Sequence, residues 1–177
     1  MVKILKKSYL VDPNVRYKDS FLKFVADVKK SGYETYEHYS KAEVNFEEFI
    51  KELFEYSRGI NIEEGWAPCT TYWLVSDLEI IGVIRIRHHV DSEELQGAGH
   101  IGYEIISKER KKGYGTRILE LGLIKARGMG LNEVLITCDA KNMGSNKIIN
   151  KFNAEYISTI IDDESGNDVT QYIVSTV

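Results

Sequence analysis

The feature that most constrains the fold is a strand, a glycine-containing loop, a helix and a second strand, in that order. HIGYEII (His100–Ile106) and EVLITC (Glu133–Cys138) are short segments rich in the residues typical of strands. Between them, apolar residues recur at helical spacing from Thr116 to about Met129. A strand–helix–strand crossover places its two strands parallel. The sequence therefore predicts an α/β fold with one parallel strand pair.

The remaining strands predict antiparallel pairing around this unit. Residues up to Val11 suit a strand, and Thr70–Val75 and Glu79–His89 are two more, joined by the turn SDLE. The loop VDSEELQGAG leads into the strand at His100. After a short helix over Ser145–Phe152, EYISTII and TQYIVSTV form a closing hairpin around DDESGND. We therefore expect a mixed α+β sheet that is mostly antiparallel.

Two helices come before this strand system. The first begins near Ser20, where apolar residues fall on one helical face, and it ends at Gly32. The second begins at Asn45, with Glu48 three positions later as in a capping box, and ends at Gly59. The predicted order is β-α-α-β-β-β-α-β-α-β-β. No linker or repeat divides the chain, so residues 1–177 are predicted to form a single domain.

Composition and charge exclude several classes of function. A chain with 43% hydrophobic and 28% charged residues is typical of globular proteins. A net charge of −4 gives nucleic acid no general attraction, and no apolar run is long enough to span a membrane. Cys69 and Cys138 form neither a disulfide framework nor a metal-binding spacing. We therefore expect a cytoplasmic protein without a metal, in which Cys138 is a core thiol.

The loop KERKKGYGTRIL has the composition of an anion-binding loop. Gly113 and Gly115 allow backbone N–H groups to converge at the N-terminus of the following helix, which carries a partial positive charge. Such a concavity binds phosphate. It is neither a P-loop, which needs Gly-Lys-Ser/Thr, nor a Rossmann fingerprint, which needs glycine where Ile118 stands. The alternative is a basic surface turn that only caps a helix. The basic side chains beside the glycines are Arg110, Lys111 and Lys112.

Two segments resemble the signature of the GNAT superfamily of N-acetyltransferases. HIGYEIISKERKKGYGTRILELGL is similar to the strand, Arg/Gln-x-x-Gly-x-Gly/Ala loop and helix of that superfamily. NMGSNKIINKF is similar to its second element, Asn-x-x-Ser with a short helix and a lysine. The resemblance implies the GNAT acyl-CoA N-acyltransferase fold, a central and mostly antiparallel sheet with one splayed parallel strand pair and helices on both faces. The matching positions are Arg110, Gly113, Gly115, Asn142, Ser145 and Lys151.

The same resemblance implies acetyl-CoA as co-substrate and an N-acetyltransferase acting on a primary amine of a small molecule or peptide. It implies direct attack of the amine on the thioester. Ser107 stands where the superfamily often has proline, and because that position acts through backbone shape, the binding prediction is kept. Main-chain groups at Glu104, Ile105 and Ile106 are expected to pair with pantetheine. The pyrophosphate is expected on the N–H groups of Lys111, Lys112, Gly113, Tyr114, Gly115 and Thr116. The far side of the cofactor is expected to contact Asn142, Ser145 and Lys147.

The sequence offers two candidates for a general base. Deprotonating a lysine-like amine at neutral pH costs about 4.6 kcal/mol, so a base or a water chain is useful. His100 and Glu104 share one face of the strand with Gly102, and His100 titrates nearest neutral pH. Alternatively, Glu104 pairs with Arg85 or Arg87, His100 only hydrogen-bonds to a backbone carbonyl, and ordered water replaces a dedicated base.

The general acid of the superfamily is missing. A tyrosine often stands seven residues after the motif asparagine, and here that position is Ile149. A thiolate whose conjugate acid has a pKa near 8.5 leaves without much help. Tyr103, Tyr72 and Tyr156 are possible substitutes, and the sequence does not choose among them.

The acceptor side is expected in the first half of the chain. Trp66 and Tyr72 lie in EEGWAPCTTYW, the predicted rim of the acceptor cleft, and Arg87 is assigned to the same side. Between Tyr33 and Glu64, nine acidic residues face three basic ones among many aromatic residues, which favours a cationic amine. The alternative is a set of solvated helix faces.

Three features of function stay open at this stage. A CoA-binding sensor without catalysis and an acyltransferase for a longer acyl-CoA are alternatives to the acetyltransferase. The acceptor amine is not identified. A homodimer is conceivable through the closing hairpin.

Overall fold

The computed structural model describes residues 6–92, 97–162 and 166–177, and its strands form two sheets. Parts of the predicted opening strand, of the loop before His100 and of the last turn lie outside these ranges. The four-stranded sheet has the antiparallel order β1-β2-β3-β4, with bounds Ser8–Val11, Cys69–Ser76, Glu79–Arg87 and Ile101–Ile105. The three-stranded sheet has the antiparallel order β5-β7-β6, with β5 Glu133–Asp139, β6 Glu155–Ile161 and β7 Asp168–Ser175.

The α-helices whose bounds fall inside the described ranges follow the predicted order, and the single-turn α2 is added to them. Asn45 caps α3 as predicted, since its side chain accepts the N–H of Glu48 at 3.1 Å. The helix predicted over Ser145–Phe152 is α5 followed by a 3-10 turn. The bounds are α1 Lys18–Lys30, α2 Lys41–Val44, α3 Phe46–Ser57, α4 Tyr114–Gly128 and α5 Met143–Ile149.

Helices cover both faces of the four-stranded sheet. On one face, α1 and α3 pack aromatic side chains against β2, where the Phe21 and Trp73 rings stack with centroids 4.5 Å apart. On the other face, α4 lies so close to β3 that a Cβ on Gly122 would stand 2.2 Å from Ile84 Cδ1. Both layers bury apolar surface against the sheet. The predicted mixed α/β fold class is confirmed.

The strands β4 and β5 approach each other at one end and then separate. The N–H of His100 donates to the carbonyl of Leu135 at 2.7 Å, whereas no β4–β5 ladder is formed in the described part of the chain. The helix α4 connects the two strands as the predicted crossover. Their divergence opens a cleft between the two sheets. No helix in the described ranges is long and apolar enough to cross a membrane.

Candidate active site

The loop before α4 has the backbone geometry of an anion site. Lys111 and Gly113 both have positive φ angles, 57° and 99°, with Lys112 between them. This alternation turns successive N–H groups toward one point. Within the described ranges, the backbone N–H groups of residues 111–116 have no acceptor. The helix α4 begins without a side-chain cap, so its own free N–H groups add to the same concavity.

Arg110 holds this loop in place. Its Nε donates to the carbonyl of Ile105 at 2.8 Å, and its Nη1 donates to the hydroxyl of Tyr33 at 2.8 Å. Its guanidinium also lies 4.9 Å from the centre of the Tyr33 ring. The motif arginine therefore joins the end of β4 to the chain after α1, besides contributing charge to the cleft.

A cleft of about 720 Å³ runs from this loop between β4 and β5. Several predicted cofactor residues line it, among them Glu104, Ile105, Arg110, Lys111, Gly113 and Gly115. Asn142, Ser145 and Thr116 also line it, as predicted. Asn142 caps α5 by accepting the N–H of Ser145 at 3.1 Å, so its side chain is also structural. The free thiol of Cys138 is buried as predicted and lies on the same wall.

Four predicted cofactor residues have side chains outside the cleft. Ile106 and Tyr114 are buried in the core, and Lys112 pairs with Glu109, while the backbone N–H groups of Lys112 and Tyr114 stay part of the loop. Lys147 is exposed on α5 outside the cleft, because the cleft side of that helix carries Ser145 and Ile148. The lysine that follows α5 and lines the cleft is Lys151, whose Nζ donates to Thr116 Oγ1 at 3.3 Å.

The main-chain prediction for β4 needs correction. Arg87 N–H donates to the carbonyl of His100, and Ile106 N–H donates to the carbonyl of Ile81. Hydrogen bonding alternates along an antiparallel pair, so the main-chain groups of Glu104 are also directed at β3. Glu104 and Ile106 therefore cannot pair with pantetheine through the backbone. The main-chain groups at the free edge of β4 are those of Tyr103 and Ile105, and the Ile105 carbonyl already accepts a hydrogen bond from Arg110.

Tyr103, one of the tyrosines considered as a general acid, lies on the wall of the cleft between β4 and β5. Its hydroxyl lies 3.0 Å from Ser145 Oγ, and burial raises the pKa of Tyr103 to about 12, so the phenol stays protonated at neutral pH. Tyr156 is exposed on β6 and contacts Thr159. Ile149 is fully buried. Of the three candidate tyrosines, only Tyr103 lines this cleft.

A second cleft of about 450 Å³ lies on the sheet face covered by α1 and α3. Two of the predicted acceptor residues, Trp66 and Arg87, line it. Tyr72 does not, because alternation along β2 places it on the opposite face, where Lys125 Nζ lies 4.6 Å from its ring centre. Its predicted place at the rim is wrong. Its neighbours Thr71 and Trp73 face the cleft instead.

Arg85 lines both clefts and marks the point where they meet. Its Nη2 lies 3.1 Å from Glu104 Oε1, and its Nη1 donates to the hydroxyl of Tyr39 at 2.9 Å. The Tyr39 hydroxyl in turn donates to Glu104 Oε2 at 3.0 Å. The three side chains form a closed ring of hydrogen bonds. The ion pair that was the alternative interpretation of Glu104 is therefore present.

The side chain and backbone of His100 both form hydrogen bonds with Leu135. Its ring Nδ1 accepts the backbone N–H of Leu135 at 2.9 Å, and the backbone N–H of His100 donates to the Leu135 carbonyl. A neutral imidazole that accepts at Nδ1 carries its proton on Nε2, so neither nitrogen is free to take a proton from substrate. Burial also lowers the pKa of His100. These contacts contradict the prediction of His100 as a general base and assign it to the junction of β4 and β5.

Most acidic residues predicted to attract a cation are neutralised by lysines. Two carboxylates on the acceptor cleft, Glu37 and Glu63, have no ion-pair partner in the described part of the chain, and both are exposed. The cationic acceptor therefore stays a prediction with little support from the geometry. The ion pairs that neutralise acidic residues between Tyr33 and Glu64 are Glu43–Lys29, Glu47–Lys18, Glu48–Lys51, Glu52–Lys41 and Glu55–Lys51.

The sequence did not predict the residues that join the two clefts. Tyr33 and Tyr39 come from the segment between α1 and α2, and Arg85 was considered only as a partner for Glu104. The alternation Arg85-Ile86-Arg87 indicates that both arginines share a face. The contact of Arg85 with Tyr39, which is more than forty positions away, depends on tertiary structure.

The site combines a nest of N–H groups before a helix, a cleft between splayed strands, and a second cleft that meets it at Arg85. The GNAT acetyltransferase domain matches the chain over residues 14–155. The chain belongs to the GNAT acetyltransferase family and is an acyltransferase enzyme. A search of curated proteins finds no match in sequence.

Several solved structures share the fold. RimL, a ribosomal L7/L12 α-N-protein acetyltransferase in complex with coenzyme A, has a TM-score of 0.71 at 16% identity, covering 98% of this chain and 97% of RimL. RimJ of Mycobacterium smegmatis, in complex with CoA-disulfide, has a TM-score of 0.72 at 15% identity, covering 95% of this chain and 81% of RimJ. A Salmonella typhimurium acetyl transferase that modifies the N-terminal serine of L7/L12 has a TM-score of 0.66 at 16% identity, with coverages of 95% and 94%. At these identities the similarity concerns the fold.

Proposed function

We propose that the protein transfers the acetyl group of acetyl-CoA to the primary amine of a peptide or small molecule. The observation that carries this proposal is the row of free N–H groups at residues 111–116, opening on the cleft between β4 and β5. Each charge-assisted hydrogen bond to a phosphate is worth about 1.5–3 kcal/mol. Several such bonds, together with Lys151 and the Arg110 guanidinium, suit a pyrophosphate at this end and a thioester further along the cleft.

The lack of a free base favours an α-amine as acceptor. His100 is committed to Leu135, and both oxygens of Glu104 already accept hydrogen bonds. A lysine-like amine would have to lose its proton at a cost of about 4.6 kcal/mol at pH 7, whereas an α-amine with a pKa near 8 needs only about 1.4 kcal/mol. We therefore propose that the acceptor amine is an α-amino group, deprotonated through water beside Glu104.

Tyr103 is proposed to assist the leaving thiol. Its hydroxyl is protonated at neutral pH and shares a hydrogen bond with Ser145 on the cleft wall. Acetyl-CoA supplies the activated acyl group, and the protein supplies this donor, the phosphate-binding loop and the orientation of the amine. Because a CoA thiolate leaves readily, the donor is expected to contribute modestly, about tenfold in kcat.

The test is thiol release from acetyl-CoA across a panel of matched acceptors. One peptide is offered with a free α-amine and no lysine, and its partner is blocked at the α-amine and carries one lysine. We expect the first to be acetylated with the higher kcat/KM at pH 7. Tyr103→Phe should lower kcat while leaving acetyl-CoA affinity unchanged by calorimetry. Preference for the lysine peptide would contradict the α-amine proposal.

The second candidate function is CoA binding without catalysis, which the buried Ile149 in place of the usual tyrosine favours. It predicts tight acetyl-CoA binding with no thiol release for any amine. Replacing acetyl-CoA by a longer acyl-CoA in the same assay tests the acyl-chain preference.

We also propose a cytoplasmic location, in agreement with two free and largely buried cysteines. The homodimer stays a prediction: the outer strand β6 exposes Ile157 and Ile161.

A further inference from the structure

The acceptor cleft contains a guanidinium that no carboxylate neutralises in the described part of the chain. Arg87 ends β3 on the same face as Arg85 and lines the cleft. Arg85 is paired with Glu104, whereas the Arg87 Nη1 donates only to the carbonyl of Gly99, at 3.1 Å. A partly buried, unpaired charge is unfavourable, and burial lowers the pKa of Arg87 accordingly. An anion that enters the cleft would be able to pair with the Arg87 guanidinium.

The surroundings of Arg87 suit a bound anion rather than a second cation. The guanidinium carbon lies 5.8 Å from the centre of the Trp66 ring, which holds the flat group against one wall. His38 lines the same cleft at its exposed rim, where partial desolvation together with Arg85 and Arg87 lowers the pKa of His38, so it is neutral at pH 7. The unpaired carboxylates, Glu37 and Glu63, are exposed. The interior of the cleft is therefore positively charged, even though the segment between Tyr33 and Glu64 is acidic overall.

We propose that Arg87 determines acceptor specificity by binding a carboxylate of the acceptor, with Trp66 positioning the guanidinium. This proposal rests on the acetyltransferase function proposed above and names the acceptor class for that site. Arginine presents two N–H groups in a plane that matches a carboxylate, and such a pair is charge-assisted. The reaction itself is unchanged, since the carboxylate only anchors the acceptor.

Strand geometry fixes the expected distance between amine and carboxylate. Arg85 marks the meeting point of the two clefts, where the amine must enter, and Arg87 is two residues further along β3. Two residues of a strand span about 7 Å. The α-carboxylate of a free amino acid is too close to its amine for this spacing. An acidic side chain at the second residue of a peptide reaches it, and so does the terminal carboxylate of a dipeptide.

The experiment compares acceptors that differ only in one charge. One pair consists of a peptide with glutamate at its second position and the same peptide with glutamine there. The other pair consists of a dipeptide and its C-terminal amide. For the wild-type enzyme, kcat/KM for the charged member is expected to exceed that for the neutral member by about tenfold or more in at least one pair. The pair that shows the preference identifies the source of the carboxylate.

Variants then assign the preference to Arg87. Arg87→Gln should reduce the ratio of charged to neutral acceptor to about one through KM, and Arg87→Lys should retain part of it. The matched control is Arg58→Gln, which removes a guanidinium that donates to the Phe54 carbonyl outside the cleft and should leave the ratio unchanged. Because each ratio is taken within one protein sample, a loss of folded protein does not alter it.

The possible outcomes separate this inference from the acetyltransferase proposal. Acetylation of both members of each pair at equal rates would overturn the role of Arg87 while leaving the acetyltransferase intact. A preference that survives in Arg87→Gln would also overturn it. Failure of every acceptor to release thiol, with acetyl-CoA still bound by calorimetry, would overturn the acetyltransferase function itself, and with it the acceptor site.

Discussion

Arg85 Nη2 lies 3.1 Å from Glu104 Oε1 across the β3–β4 pair, and each side chain is only 15% exposed. The Tyr39 hydroxyl closes the ring between them, so the segment between α1 and α2 is joined to both strands. The pair stands where the cofactor cleft meets the acceptor cleft. It therefore contributes both to the stability of the wall and to the charge that an incoming amine meets.

Breaking this pair should be strongly destabilising. Glu104→Ala leaves the Arg85 guanidinium buried without a carboxylate, and we expect a loss of about 3 kcal/mol in the free energy of unfolding. The double variant Arg85→Met/Glu104→Met, which buries no charge, should recover most of that loss. Urea denaturation of both proteins measures the difference. A Glu104→Ala protein within about 0.5 kcal/mol of wild type would show that the pair is dispensable.

Acetyl-CoA affinity should depend on the backbone of the loop more than on its lysines. Gly113 has a φ of 99°, and an L-residue there is strained by about 1–2 kcal/mol. Gly113→Ala should therefore weaken acetyl-CoA binding by about tenfold. Lys112→Ala, which removes a half-exposed charge paired with Glu109, should change it by less than about threefold.

Gly128→Ala is the control for the loop substitution. It adds the same methyl group to α4 at a position where nothing lies within 4 Å and φ is not positive. Calorimetry on the three proteins compares them directly. A larger effect of Lys112→Ala than of Gly113→Ala would reverse the ranking and favour a charge-dominated site.

His100 should matter for stability and not for proton transfer. His100→Ala leaves the N–H of Leu135 without its acceptor, which costs about 1–3 kcal/mol in the free energy of unfolding. The acid limb of the kcat/KM profile should remain in this variant, because the imidazole is committed to that N–H. Loss of the limb in His100→Ala, with the protein folded by circular dichroism, would return His100 to the role of base.

Acid should destabilise the protein partly through His38. His38 is exposed at the rim of the cleft, where partial desolvation together with Arg85 and Arg87 lowers the pKa of His38 from 6.5 to about 4, so the folded protein binds fewer protons than the unfolded chain between these values. Stability is then complete above about pH 6.5 and falls as the pH falls toward 4. His38→Gln removes this contribution. We expect the melting temperature of His38→Gln, relative to that of wild type, to be higher at about pH 5 than at pH 7.5.

An unchanged difference across these two pH values would show that the His38 environment is less restrictive than the contacts indicate. His100 is unaltered in both proteins, and the lowering of its pKa by burial therefore cancels in the comparison. The melting curves should be recorded at constant ionic strength, because screening alters the effect of Arg85 and Arg87 on His38.

Local patterns in the sequence determined the order of elements and the phosphate-binding loop. Gly113 and Gly115 stand directly before a helical period, and backbone freedom and helix N–H groups act within a few residues of each other. The cap at Asn45 was predicted for the same reason, since its partner Glu48 is three residues away. Features of this kind need no knowledge of how distant segments pack.

Tertiary structure decided which polar side chains meet. The period of two in β2 separates Tyr72 from Trp73, but only the packing of α1 and α3 shows which face becomes the acceptor cleft. The sequence offered His100 and Glu104 equally as bases, and long-range contacts with Leu135, Arg85 and Tyr39 determine their roles. Arg87 was assigned to the acceptor side, yet its lack of a carboxylate partner in the described residues became visible only with the fold. These properties depend on contacts between residues far apart in the chain, which local periodicity does not encode.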